Sequence, residues 1–327
     1  ASVIVSNART AVRIWIDAHW PRLNIEVTST EPCELRAALD PWRTAPRRLG
    51  KVERERAMGL AGGPVDETAQ PDVVLRKEKG QVIWYQRNAT SVWGLTLDQQ
   101  GLGGAKAGAT DPLLHRTFGA CLTGNGFKKK GDDALVTARK TTAATLAVHV
   151  HVAQTATLDE WLDALRAQAA SPSAPAAADA WRDHLQWWRD FWDRSHIAIE
   201  ARGPDWGHAA MISQQSNWQR YLVACCSRGR YPVKFNGGLF TADWGLQEED
   251  FDADYRRWGG GYWWQNTRLP YWAAIAAGDY DLMRPLFRLY REALPLAEHR
   301  SQVWFGHGGA FFPETMYFWG TFLPSNY

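Results

Sequence analysis

Residues 146–165 read LAVHVHVAQTATLDEWLDAL, and the hydrophobic period changes inside this stretch. Leu146, Val148, Val150 and Val152 alternate with Ala147, His149, His151 and Ala153, the period-two pattern of a half-buried strand. Thr157-Leu158-Asp159-Glu160 then has the Thr-x-x-Glu form of a capping box. Trp161, Leu162 and Leu165 follow at helical spacing. The switch divides the chain into a strand-rich front and a helical back.

The front carries the same alternation elsewhere. Val12, Ile14 and Ile16, then Leu23, Ile25 and Val27, each read as one face of a strand; Ala37 and Leu39 continue it, and Trp93, Leu95 and Leu97 repeat it. Between Val73 and Tyr85 two strand-like runs flank Lys77-Glu78-Lys79-Gly80, a hairpin signal. Short strands between turn residues predict an antiparallel β-sandwich over 1–156. His149 and His151 share a strand face, which would suit a metal, but no further ligands accompany them. Lys128-Lys129-Lys130 ahead of Gly131-Asp132-Asp133 reads as a solvated hairpin tip.

Behind the switch, SPSAPAAADA at 171–180 is a proline-bearing connector. Trp181, Leu185, Trp188 and Trp192 then form an amphipathic stripe. A helix is expected over about 209–227, with Trp218, Tyr221, Leu222 and Cys225 on one side and Gly229 as its stop. Two more are expected, about 262–277 and 281–303. They are joined by Gly278, suited to a left-handed cap, and Asp279, suited to the next N-cap. Pro285 is tolerated in a first turn, whereas Pro295 should kink its helix. Helices joined by short turns predict antiparallel hairpins in a toroid or bundle.

Composition narrows the function classes. The chain has 327 residues, 45% hydrophobic and 22% charged, with a net charge of +2. That balance gives no electrostatic reason to expect nucleic acid, and no run of 18 apolar residues predicts a membrane span. The first ten residues lack a basic n-region and an apolar core, so a signal peptide is absent or already removed. Cys33, Cys121, Cys225 and Cys226 show no zinc spacing and read as free thiols. There is no GxGxxG after a strand, P-loop, GxSxG or HExxH, which removes nucleotide, serine-hydrolase and zincin readings. No cofactor is implied.

Of 19 tryptophans, 13 fall at or after Trp181. The densest stretch, WGGGYWWQNTRLPYW over 258–272, combines a glycine hinge, large aromatics and the amide of Asn266. Indole and phenol faces suit the C–H face of a pyranose, while its hydroxyls need directional polar partners. The expected substrate-binding residues are Asn236, Trp244, Trp258, Trp263, Trp264, Arg268 and His307, with Asn266 also touching the sugar. At least one of Trp263 and Trp264 should pack inward, since adjacent helical positions face different ways. Gly259-Gly260-Gly261 either permits close approach or breaks a helix.

Glycoside hydrolysis needs two carboxyl functions, one to protonate the leaving oxygen and one to activate water or attack the sugar. Glu314, in GHGGAFFPET, is the leading candidate, because flanking aromatics would desolvate it. The same residue also suits the first turn of a helix. Asp243 is second, with an ordinary loop or N-cap role as its alternative. Glu248, Glu249, Asp250, Asp252 and Asp254 read as a solvated acidic loop without the spacing of a calcium hand.

In this order of parts, the chain resembles the (α/α)6-barrel glycoside hydrolases. It is most similar to glycoside hydrolase family 95, the alpha-L-fucosidases and alpha-L-galactosidases, and to an uncharacterised bacterial domain-of-unknown-function family. RGRYPVKFNGGLF resembles the family's asparagine-leucine-glutamine-glycine-isoleucine-tryptophan loop, at Gly238, Leu239 and Phe240. QNTRLPYW matches its helix start at Asn266, Tyr271 and Trp272, and FFPETMYFWG matches a later segment at Trp319 and Gly320. FWDRSHI looks like the connector ahead of the barrel. Trp264 stands where the family has the first of two water-positioning asparagines.

The resemblance implies a helical linker over 157–204 and the first part of an (α/α)6 toroid over 205–327, incomplete because six hairpins are needed to close the ring. It also implies an inverting, cofactor-free hydrolase with Asn266 near the attacking water and with acid and base carboxylates largely in later helices, beyond Tyr327. Together with the candidates read from the residues, the expectation is a secreted or periplasmic enzyme using Glu314, Asn266 and Asp243. The alternatives are a phosphorylase of the same architecture, a non-catalytic carbohydrate-binding protein, or a structural helical module whose tryptophans are all core.

Overall fold

The computed structural model describes residues 2–50, 68–171, 176–234 and 260–323. The chain forms two compact units. The first comprises Ala1–Arg47, Thr68–Ser91 and Pro112–Phe191; the second comprises Arg48–Glu67, Val92–Asp111 and Trp192–Tyr327.

The strands of the front are β1 (Val3–Ser6), β2 (Thr10–Ile16), β3 (Arg22–Cys33), β4 (Arg36–Ala38), β5 (Arg47–Arg48), β6 (Thr68–Ala69), β7 (Val73–Val74), β8 (Gln81–Arg87), β9 (Arg116–Gly124), β10 (Phe127–Lys130), β11 (Ala134–Thr137) and β12 (Thr141–Gln154). Seven of them make one sheet in the order β1-β2-β3-β12-β9-β8-β7, and β10-β11-β4 make a smaller one. All the registered pairs in these two sheets are antiparallel. Alternation assigns each face of the large sheet its own cover. Val82, Leu122 and Leu146 point to one face and pack with Leu135, Ala37 and Phe127 of the small sheet. Ile83 and Cys121 point to the other and pack with Trp161, Leu162 and Leu165. The front is therefore a pair of stacked sheets whose second face is closed by a helix.

The hairpin at Gly80 forms as expected, with Gly80 at φ +69° and β7 antiparallel to β8. Lys128-Lys129-Lys130 also lies in a hairpin, but Lys129 is tied down: its Nζ donates to the carbonyls of Leu75 and Arg76 at 2.9 and 3.0 Å. On β12 the alternation is covered only in part. Leu146 is buried, while Val150 and Val152 run past the small sheet and are exposed. On β2 the covered face is the opposite one. Ile16 is exposed, and Trp15 is buried against Trp181 and His184, because an indole meeting two rings buries more area than an isoleucine at the edge.

Two sequence readings change in the helices. Trp93, Leu95 and Leu97 lie on a helix, α1 (Trp93–Gln99), not a strand. Trp93 and Leu97 are four apart, which a helix stacks on one face, and seven residues are too few to separate the two periods. The capping box does form: Thr157 Oγ1 accepts from Glu160 N and begins α2 (Leu158–Ala169). On α3 (Ala177–Arg194) the buried centre is Ala180, His184 and Phe191, one position before the expected tryptophan stripe.

The second unit contains α1, the last residues of α3, α4 (Trp206–Cys226), α5 (Trp264–Ala276) and α6 (Arg284–Phe305). On α4 the buried residues are Ala209, Val223 and Ala224, and Trp218 is exposed. This helix has apolar residues all round, so periodicity could not tell which side faces in. Gly278 takes the left-handed cap at φ +71°. Asp279 follows it, but its carboxylate makes no cap. Instead it accepts from Arg220 at 2.8 and 2.9 Å and from Arg194 at 2.8 Å. α6 runs unbroken through Pro295 and ends at Gly306, φ +71°. Among the described residues no helix is long and apolar enough to cross a membrane, and none of the four cysteines forms a disulfide.

His149 and His151 share the helix-covered face of β12. His149 is buried, with Nε2 3.4 Å from Thr123 Oγ1, and His151 lies against Trp161. Among the described residues no group of three or more His, Cys, Asp or Glu side chains is placed to hold a metal. Burial, and then the charge of Arg22, push the His149 imidazole below its ordinary 6.5. Burial likewise lowers His151, against an opposing hydrogen bond with Gln168. Well above pH 6.5 both rings are neutral in folded and unfolded chains, so neither contributes. Below it the unfolded chain takes up protons first, and stability falls as the pH drops. Urea midpoints should therefore decline from pH 7.5 to 5.5, and His149→Gln should flatten that decline. An identical slope in the variant would remove His149 from the account.

Candidate functional site

The candidate site is built in the second unit from a two-stranded ribbon. β13 (Tyr262–Trp263) pairs antiparallel with β14 (Thr315–Met316), Tyr262 opposite Met316 and Trp263 opposite Thr315. The pairing carries the residue before β14, Glu314, to the start of α5. Trp264 N donates to the Glu314 carbonyl at 2.8 Å, and Gln265 N donates to Glu314 Oε1 at 2.8 Å. A helix start offers unpaired N–H groups and a positive dipole end, and the carboxylate meets both. Glu314 is exposed, and Asn266, half-buried, is the next residue along the same helix turn. Residues 48 apart in sequence thus stand at one helix start.

Aromatic rings flank this point. Trp264, 39% exposed, meets Tyr290 of α6 edge-on at 5.2 Å, and Tyr290 meets Phe312 edge-on at 5.2 Å. Burial, and then the negative charge of Glu314, raise the Tyr290 hydroxyl above its ordinary range. Tyr290 therefore remains a proton-bearing donor beside the carboxylate. Tyr262, Tyr290 and Phe312 belong to one packed cluster with Leu289 and Met316. Over Tyr262 sits Lys234, its Nζ 3.6 Å from the ring centroid and donating to Gly261 O at 2.9 Å. Burial pushes this ammonium down to about 7.

The remaining expected residues are placed differently. Trp263 is buried with Tyr317 and Leu323, so of the tryptophan pair it is the one that packs. Gly261 also serves packing, since a Cβ there would run into the Leu323 side chain. Arg268 is half-buried, with its guanidinium 5.7 Å from the Trp272 ring centroid and no partner for Nε among the described residues. His307 is exposed and stacks on Phe305 at the far end of α6. Fifteen residues of helix separate Phe305 from Tyr290, about 22 Å, so His307 is not gathered with Glu314. Asn236, Asp243, Trp244, Trp258 and the acidic run 248–254 lie outside the described residues.

Tyr290 and Lys234 were not singled out in the sequence. Tyr290 reads as one more apolar position of an amphipathic helix, and Lys234 as an ordinary loop cation. Only the fold brings them to the ribbon.

Taken together, the two units define a protein with an antiparallel-sheet front and a helical back carrying an exposed carboxylate among aromatics. Residues 2–197 match the N-terminal part of a domain of unknown function, DUF5703, and the chain belongs to that family. No curated protein matches the chain in sequence.

Proposed function

We propose that this protein is a glycoside hydrolase whose helical unit is the first part of an (α/α)6 toroid, acting on an oligo- or polysaccharide by inversion. The observation that carries the reading is the delivery of Glu314 to the start of α5, beside Trp264 and Tyr290 and one turn position from Asn266. Glu314 is exposed to substrate and held in position by the Gln265 N–H, without the desolvation expected from its flanking aromatics. Trp264 offers a partly exposed ring for a pyranose face, and the Asn266 amide is a directional partner for hydroxyl or water. The resemblance to glycoside hydrolase family 95 at Asn266, Tyr271, Trp272 and Trp319 supports the same reading. Asp243 remains the proposed second carboxyl function, and a secreted or periplasmic location follows from a polysaccharide substrate.

One observation favours a second reading. A carboxylate that caps a helix has a structural role already, which suits a non-catalytic carbohydrate-binding protein. The two readings separate on a panel of plant and bacterial oligosaccharides. In a hydrolase, Glu314→Gln should lower kcat about 10²–10⁴-fold, and Asn266→Ala should also depress turnover; proton NMR of the first product should show the inverted anomer. Saccharide affinity without turnover in the unmodified protein would favour the binder, and cleavage unaffected by Glu314→Gln would remove Glu314 as the acid.

A further inference from the structure

A pocket of about 280 Å³ lies in the first unit, lined by Asp17, His19, Trp20, Ala180 and Asp183. One wall is the tight loop between β2 and β3. Asp17 organises that loop from inside: its side chain is only 1% exposed, Oδ1 accepts from His19 N at 2.9 Å and Trp20 N at 3.2 Å, and Oδ2 accepts from Arg22 Nη2 at 3.0 Å. Main-chain bonds from Asp17 N to Arg22 O and from Arg22 N to Trp20 O close the loop. Two main-chain N–H groups and the Arg22 guanidinium satisfy this carboxylate, so its work is to hold His19 and Trp20 in place. The other wall is the N-terminal part of α3, where buried Ala180 forms the floor and Asp183 stands on the rim, 54% exposed. Below the floor Trp181 stacks on His184 at 5.3 Å, and both rings pack on Trp15. The walls are therefore set before any ligand arrives.

The lining specifies a ligand class. The Asp17 charge is neutralised by Arg22, and the Asp183 carboxylate lies 3.7 Å from the Arg182 guanidinium, so neither a strong anion nor a strong cation is selected. What remains is an indole beside a carboxylate acceptor and an imidazole. That combination suits a ring with an apolar C–H face and hydroxyls at its edge. The volume lies at the small end of the ligand-pocket range, roughly 300 Å³, which admits one monosaccharide unit and no longer chain. We propose that this pocket is a binding site for a single neutral pyranose, with Trp20 as the stacking wall and Asp183 and His19 as hydroxyl partners. The site belongs to the sheet unit and does not depend on the hydrolase reading.

The test uses the full chain carrying Glu314→Gln, so that any hydrolysis at the other site is suppressed. The probes are the methyl glycosides of glucose, galactose, mannose and fucose, followed by saturation-transfer NMR. At least one should bind with a Kd on the order of 1–10 mM. Trp20→Ala and Asp183→Ala, each added to that background, should weaken it at least tenfold. Asp183 is an exposed helix residue, so its replacement keeps the test valid if Trp20→Ala perturbs the loop. The proposal is overturned if no glycoside binds up to about 50 mM, if both pocket variants bind as the parent does, or if Asn266→Ala alone abolishes binding.

Discussion

Trp161→Ala is expected to destabilise the sheet unit by about 3–5 kcal/mol, the range for removing a fully buried large aromatic. Trp161 is completely buried between the sheet and its own helix, touching Ile83, Cys121 and Leu165, with Tyr85 and His151 rings at 5.8 and 5.6 Å. The strands beneath it are paired on both sides and cannot collapse into the void, so the cavity persists. Trp161→Phe should cost much less. The indole Nε1 has no hydrogen-bond partner among the described residues, so the phenyl ring keeps most of the apolar contact and removes a buried, unpaired donor. Urea unfolding followed by circular dichroism measures both. A loss under about 1 kcal/mol for Trp161→Ala would mean that α2 is only lightly docked.

Asp279→Ala should have a comparable effect on the helical unit, about 3–5 kcal/mol, because it leaves a buried cation without its counter-charge. Asp279 is 1% exposed and Arg220 only 11%, and their contact is bidentate. Arg220 also donates to the Ser195 carbonyl and lies over Trp192, so one carboxylate ties the turn between α5 and α6 to α4 and to the end of α3. The double variant Asp279→Ala/Arg220→Met should recover part of the loss, since replacing both charges removes the unpaired one. If the double variant is as unstable as the sum of the singles, the loss lies in the turn backbone and not in the ion pair.

Local signals were the ones that could be read. The hairpin at Gly80, the Thr157 capping box and the left-handed Gly278 each depend on neighbours within about four residues, and each forms as its spacing predicts. Apart from the short run at Trp93–Leu97, where the two periods are too alike to separate, what failed depends on distant partners. Which face of β2 or α4 is buried is decided by Trp181, His184 and the neighbouring helices, and nothing in a locally apolar run encodes that choice. Asp279 reads as a helix cap, yet its carboxylate is claimed by Arg220, 59 residues upstream. The candidate site divides in the same way. Asn266 and Glu314 stand out by composition, but their placement at one helix start depends on the β13–β14 pairing. Tyr290 becomes relevant only through it.

The position of β12 has a consequence for how the chain matures. This last strand of the front inserts between β3 and β9, so the inner edge of β3 waits for a partner more than a hundred residues downstream. Translation at roughly 5–20 residues per second leaves that edge open on the ribosome for on the order of ten seconds. An open edge is a template for pairing with another nascent chain, and non-local pairing is slow to form. Weaker induction, which lowers the number of nascent chains present together, should therefore raise the yield of native protein over inclusion bodies.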